Sequence, residues 1–133
     1  MNCLLDTATL IWSLMQTDKL SDTARSIIGD TSAVKHVSTV SLLEMSIKMS
    51  IGKLTLKGID LSELPGLLYQ RGVVLIVLEP FETITLQKLP HKKNHHDPFD
   101  RLLICQAIER NLTLLSPDDK ISQYCRQGLS LIW

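Results

Sequence analysis

Short apolar runs alternate with stretches of helical period along the chain, and this alternation sets the expected fold. Met1 to Leu5 is apolar up to Asp6 and reads as a buried strand. Thr7 to Met15 follows as a helix with Leu10, Ile11 and Leu14 on one face. Lys19 to Ile28 reads as a second helix, with Ser21 as cap and Gly29 as stop. His36 to Val40 is rich in β-formers, and Ser41 to Ile51 carries a helical stripe of Leu42, Met45 and Met49. Leu61 to Arg71 predicts a weaker helix, interrupted around Pro65 and Gly66. Val73 to Leu78 is an uninterrupted apolar strand, and Pro80 to Leu89 a helix with proline in its first turn. His91 to His96 is a polar loop before an amphipathic helix from Asp100 to Arg110. A strand at Leu112 to Leu115, a short helix at Lys120 to Arg126 and a last strand at Leu129 to Trp133 complete the pattern.

Strands that alternate with helices indicate a parallel sheet covered on both faces. The expected fold is therefore α/β: a three-layer α/β/α sandwich with a mainly parallel sheet of about five strands, the first of them central. The 133 residues fit a single domain spanning 1–133. A hydrophobic share of 44% suffices for a core and argues against disorder. The formal net charge of +0 argues against wholesale coating of a duplex, yet permits a basic rim around an acidic site. No apolar run approaches the ~20 residues that cross a bilayer. Asp6 interrupts the apolar start and no basic segment precedes it, so a signal peptide is not expected. Cys3, Cys105 and Cys125 are odd in number and widely spaced. Cys3 and Cys105 lie in apolar runs, which suits small core residues in a reducing, cytoplasmic setting.

In such sheets, sites form just outside the carboxyl ends of the strands. Asp6 follows the first strand, Glu44 lies early in the helix after the second, and Asp118 follows the Leu112 to Leu115 strand. Asp97 and Asp100 flank the start of the helix leading into that strand. Four segments thus deliver carboxylates to one edge. Clustered carboxylates raise each other's pKa, and a shared divalent cation is the simplest compensation. Oxygen-only ligands suit Mg²⁺ or Mn²⁺, which support phosphodiester hydrolysis. Each acid also fits a local role. Asp6 and Asp100 suit N-caps, Ser41-x-x-Glu44 matches a capping box, Asp97-Pro98 suits a turn, and Asp118 with Asp119 suits a solvated turn.

The run Leu4-Leu5-Asp6-Thr7, then Ser41 to Lys48, then Gly52-Lys53-Leu54, resembles the N-terminal half of bacterial PIN domains of the VapC type. The stretch His96-Asp97-Pro98-Phe99-Asp100-Arg101-Leu102-Leu103-Ile104 is the most specific, and Leu114-Leu115-Ser116-Pro117-Asp118 completes a similarity that runs from Met1 to Trp133. The resemblance implies an acidic quartet of Asp6, Glu44, Asp100 and Asp118, with Asp97 as an extra carboxylate at the rim. It further implies a metal-dependent endoribonuclease, the toxin of a toxin–antitoxin pair, with one or two Mg²⁺ or Mn²⁺ ions. RNA substrate, a homodimer and a cognate antitoxin protein go with it, as do 5′-phosphate and 3′-hydroxyl product ends. One position departs: relatives with this opening usually carry histidine two residues after the first aspartate, and here Ala8 stands there. A catalytically silent interaction module on the same fold is the alternative.

Lys92, Lys93 and Arg101, with Lys48 after Glu44, are candidates for a positive rim meeting RNA phosphates, or for solvated charges. His91, His95 and His96 have no regular zinc spacing, and nothing in their spacing fixes one beside the quartet. No histidine is therefore expected to act as general base. Trp12 and Trp133 read as core or dimer-contact residues. No glycine-rich phosphate loop occurs, and Cys105 lacks a base partner. A phosphate-receiver reading needs an aspartate after a central strand, but Val73 to Leu78 ends in Glu79-Pro80.

Overall fold

The computed structural model describes every residue from Met1 to Trp133. Five strands form one sheet in the order β3-β2-β1-β4-β5, where β1 is Asn2–Leu5, β2 Val34–Ser38, β3 Val74–Ile76, β4 Thr113–Leu115 and β5 Ser130–Ile132. Every pairing is parallel. The first strand is central, as expected of the strand that delivers the first candidate metal ligand, Asp6. Side chains of successive strand residues alternate between faces. Leu4 and Leu114 accordingly enter one apolar cluster, while Cys3, Leu5 and Leu115 enter the other. Helices α1 (Thr7–Met15), α2 (Asp22–Gly29), α3 (Thr39–Ser50) and α4 (Leu64–Gln70) supply Leu10, Ala24, Met45 and Leu68 to the Cys3 side. Helix α6 (Pro98–Glu109) supplies Leu103, Ile104 and Ala107 to the Leu4 side, next to α5 (Pro80–Thr85). This is the expected three-layer α/β/α sandwich.

The sheet order carries a functional consequence. From β1 the chain builds outward through β2 to β3, then crosses back to β4 on the other side of β1. The crevice beyond the carboxyl ends of β1 and β4 lies where the strand order reverses, the place where open α/β sheets hold their ligands.

Several elements differ from the sequence pattern for local reasons. Val73 to Leu78 yields only the three-residue β3 at the sheet edge, with Val74 and Val77 exposed, so it is not a central strand. Helix α3 starts two residues early because the Ser38 hydroxyl caps it, accepting from the Val40 amide at 3.0 Å. Glu44 is therefore mid-helix and Ser41-x-x-Glu44 is not a capping box. Pro80 to Leu89 divides into α5 and a 3₁₀ turn at Leu86–Lys88. There Thr83 and Thr85 return their hydroxyls to the carbonyls of Pro80 and Glu82, a habit that weakens helices. The last short helix is 3₁₀ throughout, Asp119–Gln127, and ends at Gly128, whose φ of 98° suits glycine.

A fully buried carboxylate, Glu82, ties α5 to the end of α6. It accepts from Arg110 Nη2 at 2.7 Å and Nε at 3.1 Å, and from the Glu79 amide at 2.9 Å. Burial alone would raise the Glu82 pKa, but the bonds from Arg110 and Glu79 prevail and hold it below the ordinary range. A depressed carboxylate contributes stability above its unfolded pKa and loses it as the pH falls through the folded value. Glu82→Ala is expected to cost ~3 kcal/mol at neutral pH by stranding the guanidinium. Urea denaturation at neutral and acid pH checks this: the gap between wild type and variant should narrow below the depressed pKa.

Candidate metal centre

Five carboxylates, Asp6, Glu44, Asp97, Asp100 and Asp118, line one cavity of about 300 Å³ at the carboxyl edge of the sheet. Lys48 is the only cation on its wall. Three of the acids cap helices, and Glu44 and Asp100 project from within them. Asp6 follows β1 and caps α1, its Oδ1 accepting from the Thr9 amide at 2.8 Å. The Asp6 amide donates to the Leu115 carbonyl at 3.1 Å, and the Thr9 hydroxyl donates to the same carbonyl at 3.0 Å. The start of α1 is thereby bolted to the end of β4. Glu44 projects from the buried face of α3, and Thr7 donates its hydroxyl to Ser41 one turn earlier at 3.0 Å. The helix cap of α6 is Asp97, not Asp100: Asp97 Oδ1 accepts from the amides of Phe99 and Asp100 at 2.8 and 3.1 Å. Asp100 is left free to face the cavity. Asp118 caps the 3₁₀ helix through the Lys120 amide at 3.0 Å.

Capping and clustering thus coexist. Asp6, Asp97 and Asp118 each spend an oxygen on a backbone amide and still line the cavity. Asp6 and Glu44 are buried, and Glu44 Oε1 has no hydrogen-bond partner. The other Glu44 oxygen accepts from Lys48 Nζ at 2.6 Å, a bond that raises the lysine pKa further above its ordinary value. Burial raises the Asp6 pKa, against hydrogen bonds from Ser116 and Thr9, and Glu44 raises it further. Asp100 is pushed up to about 7, first by burial, then by the charges of Asp97, Asp6, Glu44 and Asp118. Five carboxylates facing one lysine, with a buried oxygen unpartnered, fit a divalent cation: hard oxygen donors and an uncompensated negative field.

Two basic residues are placed differently from the expected rim. Arg101 is buried, and its guanidinium donates to the carbonyls of Leu89 and Pro90 at 2.9 Å and to the Tyr124 hydroxyl at 3.0 Å. It anchors the returning loop and offers nothing to a phosphate in solvent. Lys48 belongs to the cavity through Glu44. Lys93 is exposed, and Lys92 stands 5.9 Å from the Tyr124 ring centre.

Sequence spacing missed His95 and Ser116. His95 is buried, with Nδ1 2.9 Å from the Tyr124 hydroxyl and Nε2 3.6 Å from Asp100 Oδ2. Burial lowers its pKa, outweighing Asp118 and Asp97, which raise it. A tight turn closed by the His95 amide on the Lys92 carbonyl drives the ring inward, and Asn94 in that turn takes φ 61°. Asparagine tolerates this conformation, so Asn94 was the signal that the loop is built rather than loose. Ser116, fully enclosed, serves Asp6 and accepts from the Asp118 amide at 3.2 Å. Ala8 and Trp12 also lie on the cavity wall, and Trp12 packs against Trp133 with ring centres 5.8 Å apart.

The PIN domain model matches residues 3–127, and the chain belongs to the PIN domain family. PIN domains are in general nucleases that use divalent metals. Solved structures share the fold. VapBC2 from Rickettsia felis bound to a DNA fragment from its promoter is 18% identical, with 99% of this chain and 98% of that chain covered and a TM-score of 0.68. FitAcB from Neisseria gonorrhoeae is 17% identical, with 100% and 97% covered and a TM-score of 0.61. A domain from Methanocaldococcus jannaschii is 18% identical, with 99% and 89% covered and a TM-score of 0.56. No curated protein matches the chain by sequence. No helix is long and apolar enough to cross a membrane.

An acid whose pKa rises on folding binds its proton more tightly in the native chain. Stability therefore declines as pH rises from the ordinary aspartate range to about 7, the value for Asp100. Asp100→Asn is expected to stabilise the metal-free chain by about 2 kcal/mol at pH 8, with the gain fading towards pH 4. Urea unfolding in EDTA at both pH values reads this directly; a variant less stable than wild type at pH 8 contradicts it.

Proposed function

We propose that this chain is a Mg²⁺- or Mn²⁺-dependent endoribonuclease and the toxin of a toxin–antitoxin pair. The observation that carries this reading is the convergence of Asp6, Glu44, Asp100 and Asp118, with Asp97 beside them, on one cavity at the strand-order reversal. Membership of the PIN family supports nuclease chemistry. The likeness to VapBC2 and FitAcB supports pairing with an antitoxin protein, and the proposal includes a homodimer as its assembly.

In this reading Asp6, Glu44, Asp100 and Asp118 hold the cation. When bound, it supplies the positive charge that offsets these acids, draws electron density from a phosphate oxygen and acidifies a coordinated water. The protein's own part is orientation. Asp6 is fixed by the Thr9 amide, and Asp97 is fixed at the start of α6. Asp100, pushed up to about 7, can hold a proton at neutral pH, and a bound cation would favour its ionised form. Lys48, bonded to Glu44 at 2.6 Å on the cavity wall, would stand beside a phosphate brought there, joined at the rim by Lys92 and Lys93.

Purified chain is expected to cleave single-stranded RNA with Mg²⁺ or Mn²⁺ and to lose activity in EDTA. Asp6→Asn should reduce the rate at least ~100-fold, a loss of about 3 kcal/mol in the transition state. Product ends should carry 5′-phosphate and 3′-hydroxyl groups. A 2′,3′-cyclic phosphate formed in EDTA refutes the mechanism. A chain that binds an antitoxin but cleaves no RNA in either metal is instead the silent interaction module.

A further inference from the structure

We propose that His95 is itself a metal ligand, so that its Nε2 joins Asp100 and Asp118 in a nitrogen-containing arm of the centre. The inference rests on reading the acidic cavity as a metal centre. His95 is 3% exposed, and its Nε2 is buried without a hydrogen-bond partner. That nitrogen points at the acids: one ligand atom each from His95, Asp100 and Asp118 lies within 4.8 Å of the other two. The Nε2 to Asp100 Oδ2 separation is 3.6 Å. A charge-assisted hydrogen bond draws its partners to about 2.8 Å. Two ligands about 2.1 Å from one octahedral ion stand roughly 3 to 4 Å apart. The observed spacing is that of two donors facing a common centre.

The surroundings of the ring suit the same role. Ligating histidines are oriented by a partner on the other ring nitrogen. Here Nδ1 lies 2.9 Å from the Tyr124 hydroxyl, and that oxygen in turn accepts from Arg101 at 3.0 Å. Arg101 is immobilised by two carbonyls, so the chain Arg101, Tyr124, His95 is rigid to its end. A protonated Nδ1 donating to Tyr124 leaves the Nε2 lone pair directed at Asp100 and Asp118. An imidazole among carboxylates shifts preference from Mg²⁺ towards Mn²⁺ and later first-row metals.

Pulsed electron paramagnetic resonance of the full chain loaded with Mn²⁺ tests this. The spectrum is expected to show coupling to one imidazole nitrogen, which changes isotope pattern when histidine is ¹⁵N-labelled. It should persist in His91→Ala and His96→Ala, both at exposed positions. His95→Gln should abolish the coupling, weaken Mn²⁺ binding about tenfold and narrow the preference for Mn²⁺ over Mg²⁺. Labelled wild type with the two exposed-histidine variants suffices should His95→Gln fail to fold. Mn²⁺ bound without nitrogen coupling overturns the proposal while leaving the carboxylate centre intact, with His95 then donating Nε2–H to Asp100. Absence of any Mn²⁺ binding overturns both.

Discussion

Mutual repulsion among carboxylates governs the design of this molecule. Five of them share a cavity whose walls also bury Asp6 and Glu44, and a lone lysine offsets them. Left to relax, such groups would separate or take up protons; burial first, and the neighbouring carboxylates second, push Asp100 up to about 7. They stay together because the backbone elements that carry them are held by the sheet and its helix caps. Helix starts hold Asp6, Asp97 and Asp118 through backbone amides, and the buried face of α3 holds Glu44. The parallel sheet brings these starts to one edge, since every strand ends on the same side. The core thus confines charges that would otherwise destabilise it.

Beside Asp100 in sequence, a buried cation serves packing rather than the acids. Arg101 lies one residue after Asp100 on α6, yet its guanidinium turns inward to the carbonyls of Leu89 and Pro90. Buried charges persist when hydrogen-bonded on several sides, and Arg101 has three acceptors. Arg101 and Tyr124 thereby tie down Leu89, Pro90 and His95, while His91, Lys93, Asn94 and His96 between and after them stay exposed.

The layered fold was legible because its signals are local and periodic. Apolar strands at Met1 to Leu5 and Leu112 to Leu115, and the cap at Ser21, appear in the structure almost as their sequence implies. The carboxylates were legible too, since strand ends converge in any parallel sheet. Roles that depend on direction were not. Arg101 sits in a helix turn next to a site residue, and only tertiary packing decides that it points to the core. His95 belongs to a run with no period, and its placement rests on a left-handed Asn94 and a partner, Tyr124, 29 residues away. The Val73 to Leu78 run shows the converse error: strong β-formers guarantee a strand but not a central one, and β3 ends at the edge.

The chain has two tryptophans, and the fold places them against each other, Trp12 on the cavity wall and Trp133 just beyond β5. Neighbouring indoles at this separation couple optically. Their near-ultraviolet circular dichroism and fluorescence therefore report jointly on the first helix and the final strand, which lie 121 positions apart in sequence and meet only when the sheet is complete. Lys19 over the Trp12 ring adds a cation that quenching agents of opposite charge will sense. A pair with one member on the wall of the acidic crevice is thus an intrinsic optical probe of its assembly.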